Sequence, residues 1–228
     1  MKIAILQSNY IPWYGYFKII SEVDKFIFLD NVQYTKNDWR NRNRILINGI
    51  PGWLSIPVGQ SIDRKIQEVE LPNNSWRKKH LNTIQHSYSK YPHFELVEEF
   101  IFPLIRDESI NKLSTLNQSI IKSLSVDVFE FDIEFQQAHD EPETFSPSKR
   151  IAHLAANYGA TEYLSGPRAQ NYLQNTHFSE VGIKLSYVDY GNLARDPKSN
   201  LSVESLLSIV HGISLYGKGA LDIIGGFE

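Results

Sequence analysis

The first thirty residues contain the pattern that most constrains the fold of this chain. Residues 2–6 form an apolar run and an aromatic loop follows. Ile19 and Ile20 then continue a helical pattern before a second apolar run at residues 26–29. This order of strand, loop, helix and strand is typical of a parallel β-α-β unit. We therefore predict an α/β fold with a mostly parallel, Rossmann-like sheet that is flanked by helices.

The rest of the sequence predicts further strands and a helical insertion. Apolar runs indicate strands at residues 53–58, 66–71, 128–135, 162–164 and 183–190. Helical spacing indicates helices that begin near Trp76 and Ser146, and others at residues 94–104, 111–124, 169–173 and 202–211. We expect one domain over residues 1–228, with a helical subdomain at residues 73–125 and a mobile connection at residues 136–145.

Two polar residues mark the ends of the first two predicted strands. Gln7 follows the first strand and Asp30 ends the second. Parallel α/β sheets bind ligands beyond the carboxyl ends of their strands, so both side chains are expected at one edge. The aromatic loop lies above that edge, and its rings cannot all be buried on one face of a turn. Some of these rings should therefore line a pocket. The aromatic residues of the loop are Tyr10, Trp13, Tyr14, Tyr16 and Phe17.

A second loop, after Asp30, is rich in groups that bind anions. It contains three arginines within five residues, interleaved with two asparagines. The guanidinium group is a planar fork that matches phosphate or carboxylate, and the amides add donors and acceptors. We predict substrate-binding roles for Gln33, Lys36, Trp39, Arg40, Arg42, Asn43 and Arg44. One cleft is expected to contain Gln7, Tyr10, Asp30, Gln33, Trp39, Arg40 and Arg42. The alternative is a solvated hairpin held by salt bridges.

Two residues are candidates for a general base, and one turn is a candidate for anion binding. Asp30 lies at a strand end, and His80 lies on the helix after Trp76, although a single histidine is often a packed residue. Ser165 and Gly166 stand between a strand and a predicted helix, where free backbone amides bind anions; the alternative is an ordinary turn. The histidines form no HxH or HxxxH pair near carboxylates, so no metal site is expected.

The composition excludes several classes of protein. There is no cysteine, which excludes disulfide frameworks, thiolate zinc sites and a cysteine acyl-enzyme. A net charge of −3 gives no general attraction to nucleic acid. No apolar run reaches the length of a membrane span, and the N-terminus has no signal-peptide pattern. We therefore expect a soluble, cytoplasmic protein that has no nucleic-acid partner.

Several short motifs together resemble the signature of the WbqC-like family. They are Gln-x-x-Tyr-x-Pro-Trp-x-Gly-Tyr-Phe from Gln7, Leu-Asp-x-Val-Gln from Leu29, Trp-Arg-x-Arg-Asn-x-Ile from Trp39, Trp-Leu-x-x-Pro-Val from Trp53 and Tyr-Leu-Ser-Gly-Pro from Tyr163. The matches follow one another along nearly the whole chain. The family is associated with bacterial surface-polysaccharide (O-antigen) gene clusters, and the resemblance implies a role in modifying amino sugars.

The resemblance implies a transferase that moves a glycyl-type aminoacyl group, or another acyl group, to the amine of a nucleotide-linked amino sugar. The donor would be a carrier-protein thioester, a coenzyme A thioester or an adenylate, so an acyl or peptidyl carrier protein is an expected partner. The donor carbonyl is already activated, and the amine needs only deprotonation, orientation and a partner for the oxyanion. Without cysteine, direct attack by the amine is favoured over a covalent enzyme intermediate.

The opening of the chain also looks like that of HxGH nucleotidyltransferases, and this resemblance is partial. The matching frame is Trp13-Tyr14-Gly15-Tyr16, in which aromatic residues replace both histidines. Aromatic rings cannot stabilise a pentavalent phosphorus as imidazolium does, so we predict a nucleotidyltransferase-like scaffold without nucleotidyl transfer. Two alternatives to the transferase stay open. One is an ATP-using enzyme of the nucleotidyltransferase type, and the other is a non-catalytic protein that binds nucleotide sugars or acts as a scaffold.

Overall fold

A computed structural model describes residues 1–73, 75–142, 144–190 and 207–224. Its strands are β1 (Lys2–Leu6), β2 (Lys25–Phe28), β3 (Arg42–Ile47), β4 (Ile50–Ser55), β5 (Glu134–Gln137), β6 (Glu162–Ser165) and β7 (Lys184–Tyr187). Its α-helices are α1 (Tyr14–Ser21), α2 (Trp76–Tyr88), α3 (Phe94–Phe100), α4 (Phe102–Arg106), α5 (Leu113–Ser123), α6 (Pro147–Asn157), α7 (Asn175–Ser179) and α8 (Ile209–Tyr216).

Strand β1 stands at the centre of a five-stranded sheet with the order β5-β2-β1-β6-β7, in which every neighbouring pair is parallel. From β1 the chain moves outward through β2 to β5, then returns to the other side of β1 and continues through β6 to β7. The order in which strands are added to the sheet reverses between β1 and β6, although the two strands are parallel. Their carboxyl ends form the switch point at which open α/β sheets bind ligands. The predicted Rossmann-like α/β fold is confirmed.

Alternate residues of the central strand face two different layers of packed side chains. Ala4 belongs to the larger cluster, which includes Phe17 of α1 and Phe26 of β2 together with residues of the inserted helices. Ile3 and Ile5 belong to a smaller cluster, to which α6 contributes most of the helical residues. Because both faces are covered, strands β1 and β2 are apolar after their first residue, as buried parallel strands usually are.

Strands β3 and β4 form a separate two-stranded antiparallel sheet. Ile47 pairs with Ile50, and the two turn residues between them, Asn48 and Gly49, both have positive φ (53° and 76°). Such values belong to the type I′ turn, for which Asn-Gly is the preferred sequence. The turn fixes the register of the hairpin, which carries the second half of the arginine-rich segment as strand β3.

Helices α2 to α5 form the predicted helical insertion between β4 and β5. Their apolar residues Ile84, Val97, Ile105 and Leu116 are fully buried in the same cluster as Phe26 of the sheet. Within the four described ranges, no helix has the length and apolar character needed to cross a lipid bilayer. The single domain over residues 1–228 and the helical subdomain at residues 73–125 stay predictions.

The strand predicted at residues 66–71 is wrong. Residues Ile66–Glu68 form a 3₁₀ turn instead. Ile66 and Val69 are both fully buried, and residues three apart share one face of a helical turn but opposite faces of a strand. The burial of Ile66 and Val69 therefore follows the three-residue spacing of a helical turn and not the two-residue alternation of a strand.

Other predicted boundaries are shifted. A π-helical turn (Leu124–Val128) extends α5, so only the last two residues of the strand predicted at 128–135 belong to β5, and β5 takes residues 136 and 137 from the predicted connection. Residues 94–104 form two helices, because Pro103 lacks the N–H that a continuous helix would need. Residues 169–173 lie mostly in a 3₁₀ turn (Pro167–Asn171), and β7 ends before residue 190. Residues 202–206 of the last predicted helix lie outside the described residues.

Candidate functional site at the sheet switch point

A cleft opens at the switch point of the sheet, above the carboxyl ends of β1 and β6. It consists of two adjoining cavities of about 340 and 320 Å³ that share Asn9, Trp13, Gly166 and Tyr190. We call it the switch-point cleft. Its other polar and aromatic lining residues are Gln7, Tyr16, Trp39, Arg40, Tyr163, Arg168 and Tyr172.

Aromatic rings form one wall of the switch-point cleft. The rings of Trp13 and Tyr190 lie 5.2 Å apart at an angle of 59°. The Tyr190 hydroxyl donates to the carbonyl of Gly15 at 3.3 Å, and the Tyr16 hydroxyl donates to the carbonyl of Gln7 at 3.0 Å. Burial raises the pKa of both phenols above the usual value. Both therefore stay neutral and can keep these donor hydrogen bonds.

Gly15 allows the Trp13 ring to lie across the start of α1. A Cβ atom on Gly15 would stand 2.3 Å from a carbon of the Trp13 ring, which is far inside van der Waals contact. Close-packed interiors do not tolerate such an overlap, so any other residue at this position would displace the indole. Gly15 thus sets the shape of the aromatic wall.

Arg40 brings a positive charge from the arginine-rich segment into the cleft. Its guanidinium donates to the side-chain oxygen of Asn9 and forms an ion pair with Asp38 at 3.5 Å. Its Nε is buried and has no hydrogen-bond partner within the described ranges. Burial lowers the pKa of Arg40, but an arginine keeps its charge in a protein. Asn117 of α5 supports the loop by donating to the Arg40 carbonyl at 2.9 Å.

Asp30 lies behind the cleft rather than in it. One carboxylate oxygen accepts from the Ser8 N–H at 2.8 Å, and the other accepts from the side chain of Gln118 at 2.7 Å. After burial itself, the Asp30 charge is the next cause of the raised pKa of Tyr16. Asp30 therefore braces the loop that follows β1. Its role as a general base stays a prediction, and these contacts do not favour it.

His80 is buried, and both of its ring nitrogens make hydrogen bonds. Nε2 faces the carbonyl of Ser55 at 3.1 Å, and since a carbonyl only accepts, Nε2 carries the proton. Nδ1 then accepts from the Tyr10 hydroxyl at 2.9 Å. Burial lowers the pKa of His80 to about 4, although the bond to Ser55 opposes the shift. His80 is neutral near pH 7 and, like Tyr10, does not line the cleft, so its catalytic role also stays a prediction.

Asn43, like Asp30 and His80, is buried and hydrogen-bonded to other groups of the protein. Its amide group donates to the carbonyls of Tyr10 and Ile11 at 3.2 and 2.8 Å, and its oxygen accepts from the N–H of Arg44 at 2.8 Å. We call a group of four residues the buried polar layer, and each of them is at most 2% exposed: Tyr10, Asp30, Asn43 and His80.

Arg42 and Arg44 stack on the hairpin instead of lining the cleft. Their guanidinium carbons lie 4.1 and 5.0 Å from the centre of the Trp53 ring. Such distances are typical of cation–π contacts, and they stabilise the strand pair that carries them. The Trp53 ring is 5.5 Å from that of Trp39, which does line the cleft.

The turn after β6 contributes backbone and a cation to the cleft. Gly166 lines both cavities, and the exposed Arg168 lines the cavity of about 320 Å³. Ser165 is buried, and its carbonyl accepts from the N–H of Val188 at 2.9 Å. Of the predicted anion-binding pair, only Gly166 reaches the cleft.

The prediction of one cleft is therefore wrong in part. The structure brings six predicted site residues together: Gln7, Trp13, Tyr16, Trp39, Arg40 and Gly166. Gln33 lines a different, polar cavity, and Lys36 is exposed on its loop. The remaining predicted residues do not line the cleft, because they are buried or stacked on the hairpin: Tyr10, Asp30, Arg42, Asn43, Arg44, His80 and Ser165.

Sequence reasoning misses five polar or aromatic residues of the cleft: Asn9, Tyr163, Arg168, Tyr172 and Tyr190. The signal for two of them is related to the one that identifies Gln7, since Asn9 and Arg168 lie within four residues of the ends of predicted strands. Tyr190 is missed because the predicted strand runs through residue 190, whereas β7 ends at Tyr187.

The arrangement suits a ligand that combines a ring with an anionic group. Flat aromatic surfaces bind rings, and a few amide and charged groups fix their orientation, as in most small-molecule sites. Gln7 and Asn9 supply amides, while Arg40 and Arg168 supply positive charge. Over residues 1–73, 75–142, 144–190 and 207–224, no group of three or more His, Cys, Asp or Glu residues is placed to hold a metal ion.

Two comparisons with known proteins agree. The sequence profile of the WbqC-like protein family matches residues 7–223. A relative from Mycobacterium tuberculosis (strain ATCC 25618 / H37Rv), which carries the name Uncharacterized protein Rv1507c, is 36% identical over 191 residues. This alignment covers 83% of the present chain and 82% of the relative. No solved structure matches the chain significantly. The chain belongs to the WbqC-like protein family.

Proposed function

We propose that the protein binds a nucleotide-linked amino sugar in the switch-point cleft and transfers an aminoacyl or acyl group to the sugar amine. The step would belong to bacterial surface-polysaccharide biosynthesis. The observation that supports the binding part is the combination, in one cleft, of the aromatic pair Trp13 and Tyr190 with the cation Arg40. The reaction class comes from what the family signature implies.

The cleft offers complementary groups for each part of such a ligand. A nucleobase or sugar ring would pack against the Trp13 and Tyr190 rings, since aromatic faces bind rings through dispersion and stacking. The diphosphate would lie between Arg40 and Arg168, because guanidinium groups match phosphate oxygens in pairs. The side-chain amide of Gln7 would then bind a sugar hydroxyl or the developing oxyanion.

The transfer itself exchanges one bond for another at the donor carbonyl. The sugar nitrogen forms a bond to the carbonyl carbon, and the bond from that carbon to the sulfur or oxygen of the donor breaks. The amine loses one proton, and the departing group takes up one, so the step is balanced. The cleft would contribute chiefly by holding the amine and the carbonyl in line, an effect that can supply a large part of the acceleration.

A binding experiment tests the first half of the proposal. Diphosphate-linked amino sugars of several nucleosides, and ATP as a second arm, are titrated by thermal shift and calorimetry. A ligand that binds only the folded state raises its melting temperature. We expect a nucleotide sugar to do so, and Arg168→Ala to weaken its binding by about 1.5–3 kcal/mol, the usual scale for hydrogen bonds to a charged group.

Arg42→Ala is the matched control. It removes the same charge from the hairpin, outside the cleft, and should leave the affinity unchanged. Equal affinities of the parent and Arg168→Ala would remove the diphosphate from the proposal. Release of pyrophosphate from a nucleoside triphosphate and a sugar phosphate would replace the proposal by nucleotidyl transfer.

The second candidate is a non-catalytic protein that binds nucleotide sugars. It is favoured by the engagement of both predicted bases, since Asp30 and His80 are buried and hydrogen-bonded on both of their polar atoms. Incubation of the protein with an amino-sugar nucleotide and an aminoacyl thioester separates the two candidates. A product with the mass of the amide supports the transferase, whereas tight sugar-nucleotide binding without product supports the second candidate.

A further inference from the structure

A second cavity lies at the same edge of the sheet, beyond the carboxyl ends of β2 and β5. Its volume is about 670 Å³, and we call it the polar depression. It is lined by residues 31–33, residues 62–65 with Glu68, residues 140–141 and Arg150. Unlike the switch-point cleft, it contains no aromatic residue in its lining. Its chemistry is therefore that of charged and amide groups.

The carboxylates of the polar depression are largely engaged by the protein. Glu141 accepts from His153 Nδ1 at 2.5 Å and from the Asn157 amide at 2.8 Å. Asp140 accepts from the Asn31 amide at 3.1 Å. A third carboxylate, Glu68, accepts from the backbone N–H of Lys65 at the start of its own 3₁₀ turn. Asp63 is exposed and makes no such bond in the described part of the chain.

Two of the three cations in the depression are engaged as well. Lys65 forms an ion pair with Asp140 at 3.7 Å. Arg64 donates to the carbonyl of Val58 at 2.5 Å and lies over the ring of Tyr34. Lys65 therefore has a carboxylate partner, and Arg64 has a carbonyl acceptor and an aromatic face.

Arg150 is the exception. It is half-buried, its Nε is shut off from solvent, and its guanidinium has no hydrogen bond or ion pair with any described residue. Four carboxylates line the same cavity, yet none lies within ion-pair distance of it. A partly desolvated guanidinium without a partner is costly, and an oxyanion would satisfy its fork of donors.

We propose that the polar depression is a second ligand site, in which Arg150 binds the carboxylate of a small molecule. A singly charged carboxylate is preferred to a phosphate dianion, because the lining carries four carboxylates against three cations and repels additional negative charge. The proposal concerns a cavity separate from the switch-point cleft, and it does not rest on the function proposed for that cleft.

The position of the depression gives the proposed site its significance. Leu29 and Ile151 line the switch-point cleft, whereas Asn31 and Arg150 line the depression. Consecutive Cα atoms are about 3.8 Å apart, so the two cavities are separated by little more than one layer of chain. A carboxylate ligand held by Arg150 would therefore lie next to the ligand of the cleft.

The test is a titration of the isotope-labelled protein with propionate, followed by NMR of the backbone amides. Propionamide has the same shape without the charge, and inorganic phosphate is the dianion arm, all at matched ionic strength. We expect propionate to shift the resonances of residues 31–33, 62–65 and 140–150 in a saturable manner, while propionamide and phosphate leave them in place.

Two variants identify the binding group. Arg150→Ala should weaken propionate binding at least tenfold, and Arg150→Lys should restore only part of it, because lysine lacks the fork. Lys149→Ala is the control: it removes the same charge one residue away, where the ammonium lies over the Phe145 ring and outside the depression. Propionate binding that is unchanged in Arg150→Ala, absent in the parent protein, or weaker than phosphate binding would overturn the proposal.

Discussion

The switch-point cleft and the buried polar layer include residues that are neighbours in the same loops, but their polar groups have different partners. Asn9 lines the cleft, whereas the next residue, Tyr10, bonds to His80 in the interior. Leu29 lines the cleft, whereas Asp30 is enclosed behind it. In the buried layer, protein groups already satisfy the donors and acceptors. Residue type thus indicates which chemistry a side chain can perform but not whether a ligand can reach it.

This comparison makes opposite predictions for the two regions. Changes in the buried polar layer should lower the free energy of unfolding and spare ligand affinity in the folded protein. Changes in the cleft should lower affinity and spare stability. Substitutions in both regions can separate these effects, because unfolding and binding are measured independently.

The largest effect is expected for Asn43→Ala. The change leaves the buried Tyr10 carbonyl and the partly buried Arg44 N–H without the partners that Asn43 supplies. Unsatisfied buried groups cost about 1–3 kcal/mol each, so the free energy of unfolding should fall by about 3 kcal/mol. Urea unfolding measures the change, and Asn171→Ala, at an exposed position, is the control. An unchanged urea midpoint together with lost ligand binding would move Asn43 from the buried layer to the cleft.

Asp30→Asn should also act mainly on stability. An amide cannot accept from both the Ser8 N–H and the Gln118 side chain, so one hydrogen bond to a charged group is lost, at a cost of roughly 1.5–3 kcal/mol. Asp63→Asn, at an exposed carboxylate, is the control. If Asp30 is instead the general base, turnover disappears while acceptor affinity stays within a few-fold. A rate assay below the melting temperature of the variant distinguishes the two roles.

The His80 environment predicts acid sensitivity. The folded-state pKa is about 4 and the ordinary value is 6.5, so the unfolded chain binds a proton in this window when the native state does not. The contribution of His80 to the free energy of unfolding is therefore fully present above the ordinary pKa, and it is lost as the pH falls toward the folded-state pKa. Between about pH 7.5 and about pH 5, the loss should be about 2 kcal/mol.

Urea unfolding at both pH values tests the His80 prediction. The pH dependence should shrink in His80→Gln and persist in His86→Gln, which replaces an exposed histidine of the same helix. Equal pH dependence in the parent and His80→Gln would show that another group causes the acid sensitivity.

The smallest effect is expected in the cleft, for Gly15→Ala. The added Cβ would displace the Trp13 ring, and the lost packing should weaken nucleotide-sugar binding about tenfold, near the upper end of what one aromatic pair contributes. Trp13→Ala should cause a similar loss. The double variant should lose no more than either single change, because both remove the same ring from its place. Additive losses would show that Gly15 acts independently of Trp13.

Local patterns account for most of what could be predicted about the fold. The N-terminal strand, helix and strand, the N-cap Ser146 with proline after it, and the helix from Trp76 all follow from periodicity and capping within a few residues. The 3₁₀ turn at Ile66–Glu68 could not be distinguished from the strand predicted at residues 66–71. A short alternation of polar and apolar residues is also compatible with a 3₁₀ segment that buries every third side chain.

The candidate site follows the same division. The strand-end rule identifies Gln7, and residue types identify Trp13, Trp39 and Arg40, because these signals lie within the sequence itself. The exclusion of Arg42 from the cleft depends on Trp53, which is eleven residues away and faces it only when the hairpin pairs. The sequence also gives no sign of the role proposed for Arg150, because its lack of a partner among the described residues depends on which distant residues pack around it.

The sequence by itself determined that the chain forms a parallel α/β sheet with polar and aromatic loops at the carboxyl edge, because strand and helix periods are local properties of the chain. Only the tertiary structure decided which of those polar groups face a ligand. Access depends on contacts between distant residues, such as Tyr10 with His80 and Asp30 with Gln118. Burial against a distant partner turns a potential catalytic group into a structural one, and no local pattern encodes that partner.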